Sequence, residues 1–343
     1  MSLIEKLTAL GDPNTVSDLW LSPGQNVAIE GVRPRTLTNV QLTESDFKEL
    51  RGLCKLPADA CDQNTTAVIG PNRYRINFYR AGGDDRAALR LLKETIPTPQ
   101  ELRIPQQIID ICLKSTNGII LFAGSTGSGK STTLASILQY WAQRNPGHVV
   151  TLEAPVEYIL SGVDPLQFSQ REIGRDVPSF QVGLKSALRQ SPKIIMVQEI
   201  VDPESALAAI DAAQTGHLVL STLHTGKVKQ TIQSLLKLVP EARLSHVTHT
   251  FASVFKAVIC QRLIRVPVAN GRPNEMTRFA IHEVATWTQT MANFIVKNQM
   301  DHLENEIITG RSVGHQTFEL SVDKAIAEGL MQPSAKKSVM EAL

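Results

Sequence analysis

The sequence predicts an α/β protein in which a doubly wound, mostly parallel sheet follows a small α+β domain. Three observations predict it. Short, largely apolar runs recur between Gly118 and Leu223, and such runs suit strands buried on both faces. Amphipathic segments alternate with them: within Lys130–Arg144, residues Leu134, Ile137, Leu138 and Trp141 fall on one helical stripe. The first ninety or so residues instead carry period-two alternation broken by turn dipeptides.

Taken in order, Ser17–Leu21 (SDLWL) alternates and stops at Pro23-Gly24. Ser45–Leu53 reads as a helix. Ala67–Ile69 and Arg73–Tyr79 (RYRINFY) read as strands, punctuated by Gly70-Pro71 and Gly82-Gly83. Ile96-Pro-Thr-Pro is a stiff connector, because each proline removes a donor and disfavours helix. Beyond it come the apolar runs Gly118–Ala123, Val149–Leu152, Ile194–Val197 and Leu218–Leu223. Asp202 is the expected N-cap of a helix with Pro203 in its first turn and Gly216 past its end. After about Val266 the pattern turns helical and polar, with Gly271-Arg-Pro and Gly310 as punctuation.

Composition narrows the partners. Thirty-five basic and 33 acidic residues leave a net charge of +2 over 343 residues, which excludes a binder held to nucleic acid mainly by phosphate neutralisation. MSLIEKLTAL lacks the basic start and apolar core of a signal peptide. No run approaches eighteen apolar residues, since Lys114–Asn117 interrupts Ile108–Phe122. Cys54, Cys61, Cys112 and Cys260 form no C-x-x-C pair, and they read as reduced, mostly buried thiols of a cytosolic protein.

One motif carries chemistry. Gly124–Ser131 reads GSTGSGKS, the pattern G-x-x-x-x-G-K-[ST] between a strand and a helix. Gly124, Gly127 and Gly129 let successive backbone N–H groups converge on one anion, and the helix N-terminus adds its positive dipole end. Gly124, Ser125, Thr126, Gly127, Ser128, Gly129, Lys130, Ser131 and Thr132 are therefore the expected cradle for ATP. Lys130 reaches the β- and γ-phosphates, and the Ser131 hydroxyl ligates Mg²⁺. Hydrolysis also needs a carboxylate by the metal and a group that activates water. Glu199 ends the run IIMVQE, so it is expected at the carboxyl edge of the sheet beside the cradle, and is a metal-site candidate. Glu153 and Glu157 in TLEAPVE flank a turn at Pro155, and either one suits the role of base. His217 and His224 bracket LVLSTL. Their spacing places them on opposite faces of a regular strand and argues against a shared metal. Arg73, Arg75, Arg80, Arg86 and Arg90 form either a solvated basic face or a source of arginine fingers.

TGSGKSTTLASIL, TLEAPVEYI, ALRQSPKIIMVQE and TGHLVLSTLHT occur in that order and spacing. They resemble the Walker A, Asp-box, Walker B and His-box segments of the secretion-ATPase superfamily, the PilT/VirB-type traffic ATPases. SDLWLSPG, RYRINFYR and AALRLL resemble the N-terminal domain of the same group and the approach to its interdomain linker. The resemblance implies a PAS-like α+β N-terminal domain (residues 1–94), a linker (95–104), a RecA-like P-loop NTPase core (105–268) and a C-terminal helical region (269–343). It implies that Glu157 is the general base, that Glu199 is the Walker B glutamate, and that His217 and His224 are the His-box pair. Arg75 and Arg90 correspond to arginines acting across a subunit interface, with Arg73 a weaker match. E-A-P-x-E, with Ala154 where pilus-retraction ATPases carry Asp, is more similar to the DotB/TraJ branch of type IVB secretion and conjugation. The implied protein is a cytoplasmic, Mg²⁺-dependent homo-hexameric ATPase. It would be peripheral to the inner membrane through partner proteins and would have no direct nucleic-acid contact.

The sequence also departs from the family. Gln198 stands where glycine normally precedes the Walker B glutamate, Lys193 where Asp often opens that strand, and Val201 where Arg often follows. Two alternatives therefore stand beside the secretion motor. One is a pilus-retraction ATPase, and the other is a nucleotide-sensing adaptor with weak turnover.

Overall fold

A computed structural model describes residues 1–12, 15–31, 34–56, 62–164, 167–267 and 276–343. Cys61 and the Gly271–Pro273 punctuation lie outside the described residues. The chain divides into two compact units. One comprises residues 1–96 with 154–159, and the other 97–153 with 160–343.

In the first unit, reciprocal capping boxes open both helices. Ser2 with Glu5 starts α1 (Leu3–Leu10), and Thr43 with Asp46 starts α2 (Glu44–Leu53). The strands are β1 (Val16–Leu21), β2 (Asn26–Gly31), β3 (Thr36–Gln41), β4 (Gln63–Ile69), β5 (Asn72–Ala81) and β6 (Asp84–Leu91). They form one antiparallel sheet in the order β3-β2-β1-β6-β5-β4. The expected alternation in β5 sends Tyr74, Ile76 and Phe78 into a core with Leu3, Leu7, Phe47 and Leu50. Arg73, Arg75 and Asn77 therefore take the other face. AALRLL, expected at the approach to a linker, lies largely within β6, which pairs on both sides with β1 and β5.

The second unit is built of α3 (Gln106–Lys114), β7 (Gly118–Ala123), α4 (Lys130–Ala142), β8 (Val149–Glu153), β9 (Phe168–Glu172), α5 (Phe180–Ala187), β10 (Ile194–Val197), α6 (Pro203–Gln214), β11 (Leu218–Leu223), α7 (Val228–Lys237), α8 (Glu241–Val254), β12 (Phe255–Pro267) and β13 (Met276–Thr286). Four more helices follow: α9 (Gln289–Val296), α10 (His302–Thr309), α11 (Phe318–Ala327) and α12 (Lys336–Glu341). The sheet order is β13-β12-β7-β11-β10-β8-β9, parallel except for the β12–β13 pair. Every residue of β7, β8, β10 and β11 is buried, as their apolar runs require of strands covered on both faces. Asp202, Pro203 and Gly216 bound α6 as expected.

The helical C-terminal region starts later than the sequence suggests. β12 runs to Pro267, and β13 returns beside it with Gln261 opposite His282. β13 buries Phe279, Ile281 and Val284, but Ala280, His282 and Glu283 lie between them and break any strict alternation in the sequence.

Candidate functional site

The cradle forms where β7 leaves the sheet. Ala123 pairs with Leu223 of β11 on one side and Cys260 of β12 on the other. The loop thus springs from the carboxyl edge of a central strand, where open α/β sheets bind ligands. Gly124 must be glycine, because a Cβ there would lie 2.4 Å from the Gln261 carbonyl oxygen. Gly129 takes φ +90° as the N-cap of α4, and it leaves that helix end without a side-chain cap. The start of α4 therefore presents its positive dipole end to a ligand. Lys130 is buried within the loop it serves, and its Nζ donates to the carbonyls of Gly124 (2.7 Å) and Ser125 (3.1 Å). Ser131 follows at the start of the helix and is half-buried.

Neighbouring strands bring the next groups to the same edge. Gly124 N–H donates to the Leu223 carbonyl, so His224 follows directly beside the loop. Glu199 follows β10, and its Oε1 lies 3.0 Å from His224 Nε2. Thr222 Oγ1 donates to the Gln198 carbonyl at 2.5 Å, which ties the acidic segment to β11. Glu153, at the end of β8, is buried and accepts from Thr151 Oγ1 (2.6 Å) and Gln170 Nε2 (3.1 Å).

His217 is not brought to this edge. It precedes β11, where its carbonyl accepts from Gly118 N–H at the amino edge of the sheet. Six residues of strand separate it from His224, roughly 20 Å of rise. The two residues matched to the His-box pair are thus held at opposite ends of β11, with His224 alone at the carboxyl edge.

The other candidates lie in the first unit. Arg75 Nη1 is 3.0 Å from Glu157 Oε1. Arg73 donates to the carbonyls of Glu157 (2.7 Å) and Val156. Arg90 is opposite Arg75 across the β5–β6 pair and bonds Asp18 Oδ1 at 2.7 Å.

The residues at the loop fit Mg²⁺–ATP. Glycines at 124 and 129 supply the turn, Lys130 the cation, and the start of α4 its positive dipole end. Among the described residues, no group of three His, Cys, Asp or Glu side chains could hold a metal ion. A magnesium ion here would take most of its oxygens from the phosphates and water, with Ser131 and Glu199 as protein ligands.

Residues 86–334 match the family described as Type II/IV secretion system protein. The chain belongs to that family. A twitching motility protein of Neisseria gonorrhoeae is 34% identical over 265 residues, which is 77% of this chain and 69% of that protein. The structure of the Legionella pneumophila ATPase DotB superposes with a TM-score of 0.81 at 25% identity, covering 99% of this chain and 94% of that one. The pilus retraction motor PilT, solved with bound ADP, gives 0.81 at 28% identity, covering 98% and 96%. This family member is an ATPase that works on ATP with Mg²⁺, and a RecA-like core follows its N-terminal domain. Among the described residues no helix is long and apolar enough to cross a membrane.

Sequence reasoning passed over Gln261, His282 and Thr133. Gln261 Nε2 donates to the Ser128 carbonyl (2.6 Å), while its Oε1 accepts from Thr133 Oγ1 (2.9 Å) and faces His282 Nε2 (3.3 Å). The available signal was a glutamine directly after the apolar run Ala257–Cys260, because a buried amide must find partners. Burial lowers the His282 pKa to about 4.

Proposed function

We propose that this ATPase is the hexameric cytoplasmic motor of a type IVB secretion or conjugative transfer machine, bound peripherally to its inner-membrane components. One observation carries the ATP-hydrolysing part of the reading: the phosphate loop, Glu199 and His224 share the carboxyl edge of the core sheet. The loop amides and Lys130 bind the β- and γ-phosphates. Ser131 and Glu199 hold Mg²⁺, which when bound supplies positive charge to the phosphate oxygens. His224 orients the Glu199 carboxylate through their 3.0 Å contact. Glu157 takes the proton of the attacking water. Arg75 and Arg90 of one protomer serve the transition-state charge on a neighbour's nucleotide.

E-A-P-x-E at residues 153–157 and the likeness to DotB support the secretion and conjugation branch. The gonococcal twitching motility protein and PilT support a second reading, pilus retraction. Deleting the gene in its host separates the two. Loss of effector or plasmid transfer with motility intact supports the first, and the reverse result supports the second. Phosphate release by the purified oligomer tests the motor against a nucleotide-sensing adaptor. Lys130→Ala should abolish that release, and turnover retained in this variant overturns the site assignment.

A further inference from the structure

We infer that Gln261 is a positioning residue for nucleotide binding, a brace that sets the direction of the phosphate-loop amides from the neighbouring strand β12. The inference rests on the assignment of residues 124–132 as the cradle. Cys260 pairs with Ala123, the last residue of β7. Gln261 therefore lies where β12 continues past the point at which β7 turns into the loop. Its backbone forms the floor, since a Cβ on Gly124 would meet its carbonyl oxygen at 2.4 Å. Its side chain, 2% exposed, reaches two places at once: the Ser128 carbonyl in the last turn of the loop and the Thr133 hydroxyl in the first turn of α4.

Chemistry fixes the orientation of the amide. A carbonyl only accepts, so Gln261 Nε2 faces Ser128, and Oε1 is left for Thr133 and for the Nε2–H of His282. His282 is itself fixed. It is opposite Gln261 across the strand pair, its N–H donates to Ser321 Oγ, and its carbonyl accepts from Gln316 Nε2.

The consequence follows from peptide geometry. In a trans peptide, C=O and the next N–H point in opposite directions. Holding the Ser128 carbonyl against β12 turns the Gly129 N–H away from β12, toward the open side of the loop. A side chain at 261 with an acceptor but no donor would repel the Ser128 carbonyl and free that peptide to rotate. A Cβ at residue 129 would lie 2.9 Å from Gln261 Nε2, so the brace also accounts for the glycine there.

The test is ATP binding and turnover by Gln261→Glu and Thr133→Val, with Lys130→Ala alongside. Gln261→Glu should raise KM and the Kd of a fluorescent ATP analogue about tenfold or more, with kcat within about threefold of the parent. That is the split expected when binding geometry alone is lost. Thr133→Val keeps the Ser128 bond and should raise both about two- to threefold. A lowered melting temperature with unchanged KM in Gln261→Glu would make the residue a fold contact and overturn the inference. Should that variant not assemble, an unchanged KM in Thr133→Val overturns it instead, and a rise supports it. Lys130→Ala reports separately on the cradle: undiminished ATP affinity there would sink the assignment on which the brace depends.

Discussion

Glu157 and Glu199 are both proposed for hydrolysis, yet they belong to different compact units and are held by different kinds of partner. Glu199 lies in the second unit at the edge of a sheet whose strands are wholly buried, and an imidazole on the adjacent strand end holds it. Glu157 is counted with the first unit, where a guanidinium on an antiparallel strand holds it and Arg73 takes the carbonyls of Val156 and Glu157. The contrast separates two tasks. A phosphate loop works only if its backbone is rigid, so it is rooted in the most buried strands, with its lysine already inside. The residues proposed as water-activating group and arginine finger both belong to the unit that does not contain the loop.

If that division of labour is right, removing either carboxylate should halt chemistry and spare nucleotide binding. Glu199→Gln and Glu157→Gln should each lower kcat by about 10²–10³-fold, in the range of a lost general base or transition-state contact. ATP affinity should stay within a few-fold. The contrast breaks if Glu157→Gln turns over at the parent rate, because Glu157 would then be only a partner that secures Arg75. Single-turnover phosphate release and equilibrium binding, measured on the same preparation, decide it.

A smaller effect sharpens the description of the core edge. His224→Asn should lower kcat about tenfold, because Glu199 loses the group 3.0 Å from its carboxylate. His217→Asn should change kcat by less than about twofold, since the length of β11 separates it from that edge. Equal losses would mean that His217 acts from another copy of the chain, and the ring rather than the protomer would be the unit to analyse.

These residues also show what a sequence discloses. The phosphate loop was legible because its chemistry is local. Eight consecutive residues must curl about one anion, and an apolar run and an amphipathic helix must flank them. The buried strands were legible for the same reason, as was α6 with Asp202, Pro203 and Gly216 in their expected places. The braces were not legible. Gln261 meets Ser128 and Thr133 across more than 120 positions of chain, and His282 meets Gln261 only because β13 pairs in one register. β13 itself was hidden, since a strand next to a polar network interleaves charged residues that read as helix surface. The placement of His217 needed no side-chain detail, only the direction and length of β11.

The weakest expected effect concerns stability, and it also distinguishes the two units. Burial lowers the pKa of His282, in the second unit, to about 4 from an ordinary 6.5. Between those values the unfolded chain binds more protons than the folded one, so stability rises with pH there. The contribution is whole above about pH 6.5 and is lost as pH falls toward 4, amounting at most to about 3 kcal/mol. In the first unit, burial would raise the carboxyls of Asp46 and Asp85. For Asp46, bonds from Lys6 and Thr43 outweigh burial; for Asp85, bonds from Arg80 and Arg51 do so. Both are held below the ordinary value of 3.8. Their stabilisation is present above that value and is lost only as pH falls through the lower, folded one. Acid should therefore act on the second unit first, with Glu283, beside His282 on β13 and raised by burial, working against the loss. Hydrogen exchange between pH 7 and 4.5 should show protection falling earlier around β12 and β13 than around β5 and β6. In His282→Asn that early fall should flatten while the first unit is unchanged. An equally steep fall in the variant would assign the acid sensitivity to other groups.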